Sequence, residues 1–186
     1  LPSVQAHRHA VEALYHLTKT LDPTRAVIGN DGWESSATDI IGIHDYDCNL
    51  DHIRQRYGPE VEREQLFDTR RPGGKLLTLD GYPHRGQPIM LTEFGGIAFQ
   101  EHPEEGVKKI WGYTAVTDPE VFAQLYEKLL ETVIHTALFS GFCYTQFADT
   151  FQEANGLLYA DRTPKIPLDR IKEVTAQSRT WIPGGV

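Results

Sequence analysis

The chain has 186 residues, of which 40% are hydrophobic and 24% are charged, and its formal net charge at pH 7 is -8. This acidic balance, with lysine and arginine dispersed along the chain, excludes a basic nucleic-acid-binding patch and a cationic membrane-binding face. No apolar stretch approaches the roughly 20 residues of a membrane span, and the two cysteines, Cys48 and Cys143, are interpreted as free thiols.

Segments with helical periodicity alternate with short apolar runs, which predicts an α/β fold. Four segments are predicted to be helices with buried apolar stripes. The first ends at Asp22-Pro23 and has the stripe Ala10, Leu14, Leu17 and Leu21, and a weaker one over 49–57 is closed by Gly58. The third starts at Asp118-Pro119-Glu120, with Phe122, Leu125, Leu129 and Val133 inward. The fourth covers 167–181, with Ile171 and Val174 inward.

Four apolar runs, at 26–29, 40–43, 89–91 and 139–143, are predicted to be strands. The run 89–91 has no alternation of polar and apolar residues, which predicts a strand buried on both faces. Each run leads directly into polar, titratable or aromatic side chains. Because ligands bind at the carboxyl ends of parallel strands, this repeated pattern is typical of the rim of a (β/α) barrel. The segment 59–88 is predicted to be a solvated helix and a long loop. The segment 97–117, with Trp111 and Tyr113, is predicted to be a second long loop, and long loops of a barrel often shape its entrance.

Glu93 is the strongest candidate for a catalytic residue. It ends the run Pro88–Thr92 and is followed by Phe94, Gly95 and Gly96. A carboxylate at the end of a buried strand faces the rim, and the glycines would let backbone approach a ligand closely. The competing interpretation is a solvated strand-end residue or a helix-cap partner.

The length predicts an incomplete barrel. A complete one takes about 250 residues, and only four barrel strands can be found in this sequence. The chain begins Leu1-Pro2-Ser3, without an initiator Met or a signal-peptide pattern. We therefore expect about the second half of a longer, cytoplasmic protein.

Several short motifs, in their order and spacing, resemble glycoside hydrolase family 2, the retaining β-galactosidase and β-glucuronidase family. They are Asp22-Pro23-Thr24-Arg25, Asn30-Asp31-Gly32-Trp33-Glu34, His44-Asp45-Tyr46, Thr92-Glu93-Phe94-Gly95-Gly96, Trp111-Gly112-Tyr113, Phe147-Ala148-Asp149, Asn155-Gly156-Leu157 and Asp161-Arg162. The resemblance runs along nearly the whole chain. It implies a (β/α)8 TIM barrel of which residues 1–186 hold about the C-terminal half, strands 5–8 with their flanking helices.

The resemblance also implies catalytic roles. Glu93 matches the nucleophile that forms a covalent glycosyl-enzyme intermediate, and Tyr46 matches a tyrosine that donates a hydrogen bond to it. The family's acid/base is a Glu directly after an Asn at the end of the fourth strand, and no Asn-Glu pair occurs here. Glu34, Asp45 and Asp47 follow the wrong strands. The proton donor is therefore expected upstream, and the isolated chain is expected to be inactive.

Six further residues are candidate substrate contacts. His44 either binds a sugar hydroxyl or is a neutral histidine satisfied inside the rim. Trp33 offers a flat face for a sugar ring or packs in the barrel. Asn30 and Asp31 are interpreted as hydrogen-bonding rim residues. Tyr144 and Gln146 flank Thr145, where several relatives carry a Trp, so the sugar platform differs here.

We expect no cofactor and no metal ion, since the sequence has no phosphate-binding loop and no convincing set of metal ligands. The expected partners are a carbohydrate substrate and either the missing N-terminal half of the barrel or a second copy of the chain. The alternative function is a non-catalytic carbohydrate-binding or assembly module, in which half-barrels close on each other and cover their sheet edges.

Overall fold

The computed structural model describes residues 5–100, 113–150 and 152–177. Helices and strands follow in this order: α1 (Gln5–Leu21), β1 (Ile41–Asp45), α2 (Leu50–Tyr57), α3 (Arg63–Asp68), β2 (Ile89–Gly95), β3 (Ile97–Phe99), β4 (Thr114–Val116), α4 (Pro119–His135), β5 (Phe139–Thr145) and α5 (Leu168–Thr175). One sheet has the strand order β1-β2-β5, and β3 pairs in parallel with β4. The α/β class with parallel strands is confirmed, whereas the described residues form no closed barrel.

Three of the four predicted strands are present, as β1, β2 and β5. The fourth prediction, a strand over 26–29, is wrong, because that segment bonds to a nearby turn instead of a neighbouring strand. The Asp39 N–H donates to the Val27 carbonyl oxygen at 2.8 Å, and the Val27 N–H donates to Asp39 Oδ2 at 2.9 Å. Both main-chain groups of Val27 are thereby satisfied without a sheet.

The chain divides into two compact units. Among the described residues, the first unit takes those within 1–45, 59–93 and 138–143, and the second those within 46–58, 94–137 and 144–186. The first unit thus contains α1, β1, α3 and the greater part of β2 and β5. None of the described helices is long and apolar enough to cross a membrane.

The buried apolar side chains of the first unit lie on its strands, on α3 and in the segment that follows α3, and α1 contributes none. Ile43 and Leu91 are completely inaccessible, at 0% exposure. The prediction that the stripe of α1 is core is wrong: Leu14, Leu17 and Leu21 are 64%, 54% and 79% exposed, and no residue of α1 is buried.

Polar side chains attach α1 to the first unit instead. The Tyr15 hydroxyl donates to Asp39 Oδ1 at 2.5 Å, and Lys19 Nζ lies 3.1 Å from Asp39 Oδ2. Burial raises the pKa of Asp39, but its bonds from Tyr15, the Val27 N–H and Lys19 outweigh burial, and the net pKa is lowered. Asp39 therefore anchors the helix as a charged group, leaving the leucine face uncovered.

In the second unit, the helix predictions are confirmed where capping residues specified them. Asp118 caps α4 by accepting from the Glu120 and Val121 N–H groups at 2.8 and 3.0 Å, and Asn49 caps α2. The buried face of α4 consists of Phe122, Ala123, Tyr126, Leu129, Leu130, Val133 and Ile134. Leu125 of α4 and Ile171 of α5 were also predicted to face inward, and both are only half-buried.

Two boundaries differ from the sequence predictions. The predicted loop over 97–117 begins and ends in strands, since β3 and β4 pair with Ile97 opposite Thr114. Trp111 lies outside the described residues. The helix predicted over 167–181 is observed over Leu168–Thr175, and its proposed continuation to Trp181 lies outside the described residues beyond 177.

The segment after β5 holds a buried ion pair between Lys165 and Asp149 in the second unit, which we call the latch. Lys165, whose side chain has 0% exposure, contacts Asp149 Oδ1 at 2.7 Å. The same oxygen accepts from the Gly156 N–H at 2.8 Å. A Cβ at Gly156 would overlap the main chain of Ala148 and Asp149. Burial lowers the pKa of Lys165 and its bond to Asp149 opposes that shift, so the ammonium depends on its partner.

We expect Asp149→Ala to destabilise the protein strongly, because it leaves the Lys165 ammonium buried without its counter-charge. Breaking a buried pair in this way costs about 3–5 kcal/mol. Denaturant unfolding would measure the loss. The control is Asp51→Ala, which breaks the exposed Asp51–Arg54 pair and should cost far less. Equal losses in the two variants would contradict the latch.

Candidate functional site

Glu93 and His44 come together because their strands are neighbours in the sheet. His44 lies near the end of β1 and Glu93 near the end of β2, and His44 Nδ1 lies 3.3 Å from Glu93 Oε2. The Glu93 side chain is 41% exposed, whereas that of His44 is only 13% exposed. The carboxylate is thus open to a ligand from solvent while the imidazole is held within the protein.

Asp31 occupies the other side of the same imidazole. Its Oδ2 lies 3.1 Å from His44 Nε2, and its Oδ1 accepts a hydrogen bond from the Thr92 hydroxyl at 2.7 Å. Burial raises the pKa of Asp31, but the contacts with His44 and Thr92 outweigh burial and the net pKa is lowered. Asp31 is therefore a carboxylate at neutral pH. We call Asp31, His44 and Glu93 the bridge cluster.

Two glycines make room for the bridge cluster. Gly32 has φ +89°, and a Cβ there would lie 2.5 Å from the His44 ring. A Cβ at Gly42 would overlap Asp31 Oδ1 and lie 2.8 Å from the Thr92 hydroxyl. Neither position can carry a side chain without displacing a member of the cluster.

Trp33 and Asn30 support the cluster from the loop before β1. Trp33 meets the His44 ring edge-on, with ring centroids 5.0 Å apart and an interplanar angle of 73°. Asn30 donates from Nδ2 to the Trp33 carbonyl oxygen at 2.6 Å. Of the predicted site residues in the first unit, Asp31 and Glu93 thus both contact His44. Trp33 packs beside the His44 ring, and Asn30 holds the loop.

The predicted role of the Gly95-Gly96 pair needs correction. Both residues have positive φ, at +89° and +60°, but the space they leave is filled by aromatic rings of the second unit. A Cβ at Gly95 would overlap the Tyr144 ring, and one at Gly96 would lie 2.8 Å from both Tyr46 and Tyr113. These glycines admit tyrosines rather than bringing backbone to a ligand.

The three predicted site residues of the second unit are held within that unit. Tyr46 stacks on Tyr113, with centroids 3.9 Å apart and an angle of 11°. Tyr144 packs edge-on against Phe94 and Tyr126, and burial raises the pKa of Tyr144 well above its usual value. The hydrogen bond from Tyr46 to Glu93 and the substrate contact of Tyr144 stay predictions.

Gln146 is bonded through its main chain and its side chain. Its N–H donates to the Asn155 carbonyl oxygen at 3.2 Å, and its own carbonyl oxygen accepts from the Leu157 N–H at 3.0 Å. Its side-chain Nε2 donates to Thr150 Oγ1 at 3.3 Å. The substrate contact predicted for Gln146 likewise stays a prediction.

The bridge cluster is also the one group of three or more acidic, histidine or cysteine side chains, within the described part of the chain, whose ligand atoms are close enough for a metal ion. These atoms lie within 4.8 Å of one another. However, the two carboxylates contact opposite nitrogens of one imidazole, and an imidazole coordinates an ion through a single nitrogen. The arrangement therefore fits a histidine bridging two carboxylates better than a metal centre.

Sequence reasoning missed Thr92, Gly32, Gly42 and Tyr113 as parts of these arrangements. Thr92 carried a usable signal, since it is a polar residue at the end of an apolar strand and directly precedes the candidate carboxylate. Gly42 also carried a usable signal, because a glycine inside an apolar strand indicates that another group approaches the backbone closely there. Nothing in the sequence relates Tyr113 to Tyr46, which lies 67 positions earlier in the chain.

Comparison with solved structures relates this fold to glycoside hydrolases. The chain matches a GH2 β-galacturonidase from Eisenbergiella tayi with TM-score 0.62 and 16% identity over 96% of this chain and 32% of that one. It matches an exo-β-agarase with TM-score 0.60 and 16% identity over 91% and 22%, and a β-D-glucuronidase from Dictyoglomus thermophilum with TM-score 0.57 and 14% identity over 96% and 30%.

The chain shares its fold with part of these glycoside hydrolases. It spans less than a third of the length of each. At such low identity the likeness concerns the fold alone. No family model matches the chain, and no curated protein matches it.

We expect Gly42→Ala to destabilise the protein by about 1–3 kcal/mol, the usual cost of overpacking, because the new methyl group meets a carboxylate oxygen and a hydroxyl. The control is Gly141→Ala in β5, where the new methyl would meet the flexible end of Met90 at 2.8 Å. Denaturant unfolding of both variants makes the comparison. If the Gly42→Ala variant is as stable as the control, the space beside Asp31 Oδ1 accommodates a methyl group and the prediction is wrong.

Proposed function

We propose that this chain is the nucleophile-bearing part of a retaining β-glycosidase, with Glu93 as the nucleophile. The observation that carries the proposal is the placement of Glu93, an accessible carboxylate near the end of a sheet strand, 3.3 Å from His44. The shared fold with part of several glycoside hydrolases supports it. The proposed substrates are β-linked sugars of the galactoside and glucuronide kind.

In the proposed reaction, an oxygen of Glu93 attacks the anomeric carbon. The bond from that carbon to the leaving oxygen breaks, and its electron pair stays on the leaving oxygen, which takes a proton from an acid. Water then attacks the anomeric carbon and gives up a proton to the same group, while the bond from that carbon to the Glu93 oxygen breaks and releases Glu93 as a carboxylate. This sequence retains the anomeric configuration and needs a second carboxyl group about 5–5.5 Å from the first.

Three carboxyl groups of this chain, those of Asp31, Glu34 and Asp47, are poorly suited to act as the acid. A general acid must hold its proton near neutral pH and therefore needs a raised pKa. The pKa of Asp31 is lowered instead, and Glu34 is ion-paired with Lys75 at 3.2 Å. Burial raises the pKa of Asp47, but hydrogen bonds from a main-chain N–H and two basic side chains outweigh it and lower the net pKa. We propose that the acid lies on a segment that carries the remaining strands.

Covalent labelling tests the nucleophile. The chain, alone and joined to its upstream segment, would be incubated with 2-deoxy-2-fluoro β-glycosides that carry an activated leaving group, and the intact mass measured. Such a leaving group needs little help from the missing acid, so one glycosyl adduct should form on Glu93. Glu93→Gln should abolish it, and Glu131→Gln, an exposed acid on α4, should leave it unchanged.

Turnover by the isolated chain and by the joined protein tests whether the nucleophile and the acid lie on different segments. We expect the isolated chain not to turn over natural β-glycosides, because no proton donor is supplied. Efficient hydrolysis by the isolated chain would overturn the proposal that the acid lies elsewhere. If the joined protein is folded but forms no adduct, the assignment of Glu93 as nucleophile is overturned, and a non-catalytic assembly module is favoured.

We propose in addition that the leucine face of α1 is covered by the segment that completes the barrel. Leu14, Leu17 and Leu21 are exposed at helical spacing, and this chain spans less than a third of each similar structure. A contiguous exposed apolar face on a protein marks an interaction surface. A second copy of the chain is the competing occupant.

Replacing Leu14 and Leu17 by Gln should weaken binding of the separately produced upstream segment by about tenfold per leucine, since burial of each is worth roughly 1.5–3 kcal/mol. Isothermal titration calorimetry would measure the affinity. Val121→Gln, at a position that is 50% exposed on α4, is the control. Unchanged affinity with loss of self-association would assign the face to a second copy instead.

A further inference from the structure

His44 is placed between two carboxylates in a way that leaves neither ring nitrogen to a sugar. Nδ1 lies 3.3 Å from Glu93 Oε2, and Nε2 lies 3.1 Å from Asp31 Oδ2. Nε2 is buried and makes no hydrogen bond of standard geometry, so it is closed to a sugar. The ionised Asp31 carboxylate acts on it as a close negative charge.

The His44 ring has little freedom to leave this position. The His44 side chain is 13% exposed, and Trp33 packs edge-on against its ring. Gly32 also lies so close to the ring that a Cβ there would overlap it. A histidine that binds a sugar hydroxyl would need one nitrogen turned toward the ligand. Such a turn would break one of the two carboxylate contacts.

Asp31 is itself fixed, so it can orient His44. The Thr92 hydroxyl donates to Asp31 Oδ1 at 2.7 Å, and Gly42 gives that oxygen its space. Thr92 directly precedes Glu93 on β2. The contacts therefore form a closed path from β2 through Asp31 and His44 back to β2.

We infer that His44 is a positioning residue that holds the Glu93 carboxylate in its attacking orientation, and that Asp31 holds His44. This inference rests on the proposed role of Glu93 as nucleophile. Contact at Oε2 sets the plane of the carboxylate and hence the direction of its attacking oxygen. When Glu93 becomes an ester and loses its charge, Asp31 remains charged and keeps His44 in place for the second step.

The rate of labelling of Glu93 tests the inference. The joined protein and its variants would be treated with a series of concentrations of the activated 2-deoxy-2-fluoro glycoside, and the adduct followed by intact mass. His44→Ala should lower the maximal labelling rate by about 100-fold, the scale of a misplaced reacting group, with little change in the half-saturating concentration. His44→Gln keeps an N–H donor and should recover part of the rate.

The matched control is His52→Gln, which removes another histidine in contact with a carboxylate, Asp47 at 2.7 Å, in the second unit. It should label like the wild type. A His44→Ala variant with an unchanged maximal rate and a raised half-saturating concentration would assign His44 to sugar binding and overturn the inference. A wild type that is not labelled at all would overturn the proposed function itself, and the inference with it.

Imidazole 15N chemical shifts give a readout that needs no sugar and detects the bridge directly. Glu93→Gln should shift mainly the Nδ1 signal of His44, and Asp31→Asn mainly the Nε2 signal. Thermal unfolding would confirm that each variant is folded. Folded variants that leave both signals unchanged would show that His44 does not bridge the carboxylates, and would overturn the inference.

Discussion

The candidate site depends on one imidazole that keeps two carboxylates close together. Two carboxyl groups placed this close together repel when both are ionised, unless another group separates them. His44 lies between Asp31 and Glu93 because β1 and β2 are adjacent and bring it beside Glu93. The loop before β1 supplies Asp31, so the bridge also ties that loop to the sheet. A substitution at Gly32 or Gly42 therefore acts on the site through contact with the His44 ring or Asp31 Oδ1, although no charged residue is replaced.

The same contacts separate the roles of the two carboxylates. Asp31 is ionised through its contacts with His44 and Thr92, which makes it an acceptor and a poor proton donor. Glu93 is accessible to a ligand and meets His44 through Oε2. A retaining glycosidase needs one carboxylate to attack and another carboxyl group to deliver a proton. The bridge cluster is suited to orienting the first and offers no group for the second, which agrees with a site completed by another segment.

The sequence predicted those parts of the fold that local rules determine. Asn49 and Asp118 specify the starts of α2 and α4 through hydrogen bonds to nearby N–H groups, and short, mainly apolar runs indicated β1, β2 and β5. Prediction failed at α1, because periodicity shows that one face is apolar but not what covers it. It also failed at 26–29, where a short apolar run has no partner strand and its N–H and C=O groups bond to Asp39 instead. Glu93, His44 and Asp31 could be selected from their positions after strands, whereas the bridge between them depends on side-chain packing that spans more than 60 residues of sequence.

The motifs that carry the family resemblance differ in what they constrain. Asp149 and Gly156 hold Lys165 in a buried latch, and Gly95 with Gly96 admits three tyrosine rings. All of these contacts lie within the second unit and contribute to its packing. The order of these residues along the sequence therefore reports on the architecture more than on the substrate, which agrees with a shared fold at 14–16% identity. In the proposed function, substrate choice depends instead on groups that a sugar can reach. Glu93 and Asp31 are both accessible, at 41% and 42% exposure, and the proposed nucleophile is Glu93, whose Oε2 contacts His44. A sugar suited to this proposed site brings its anomeric carbon to the Glu93 carboxylate.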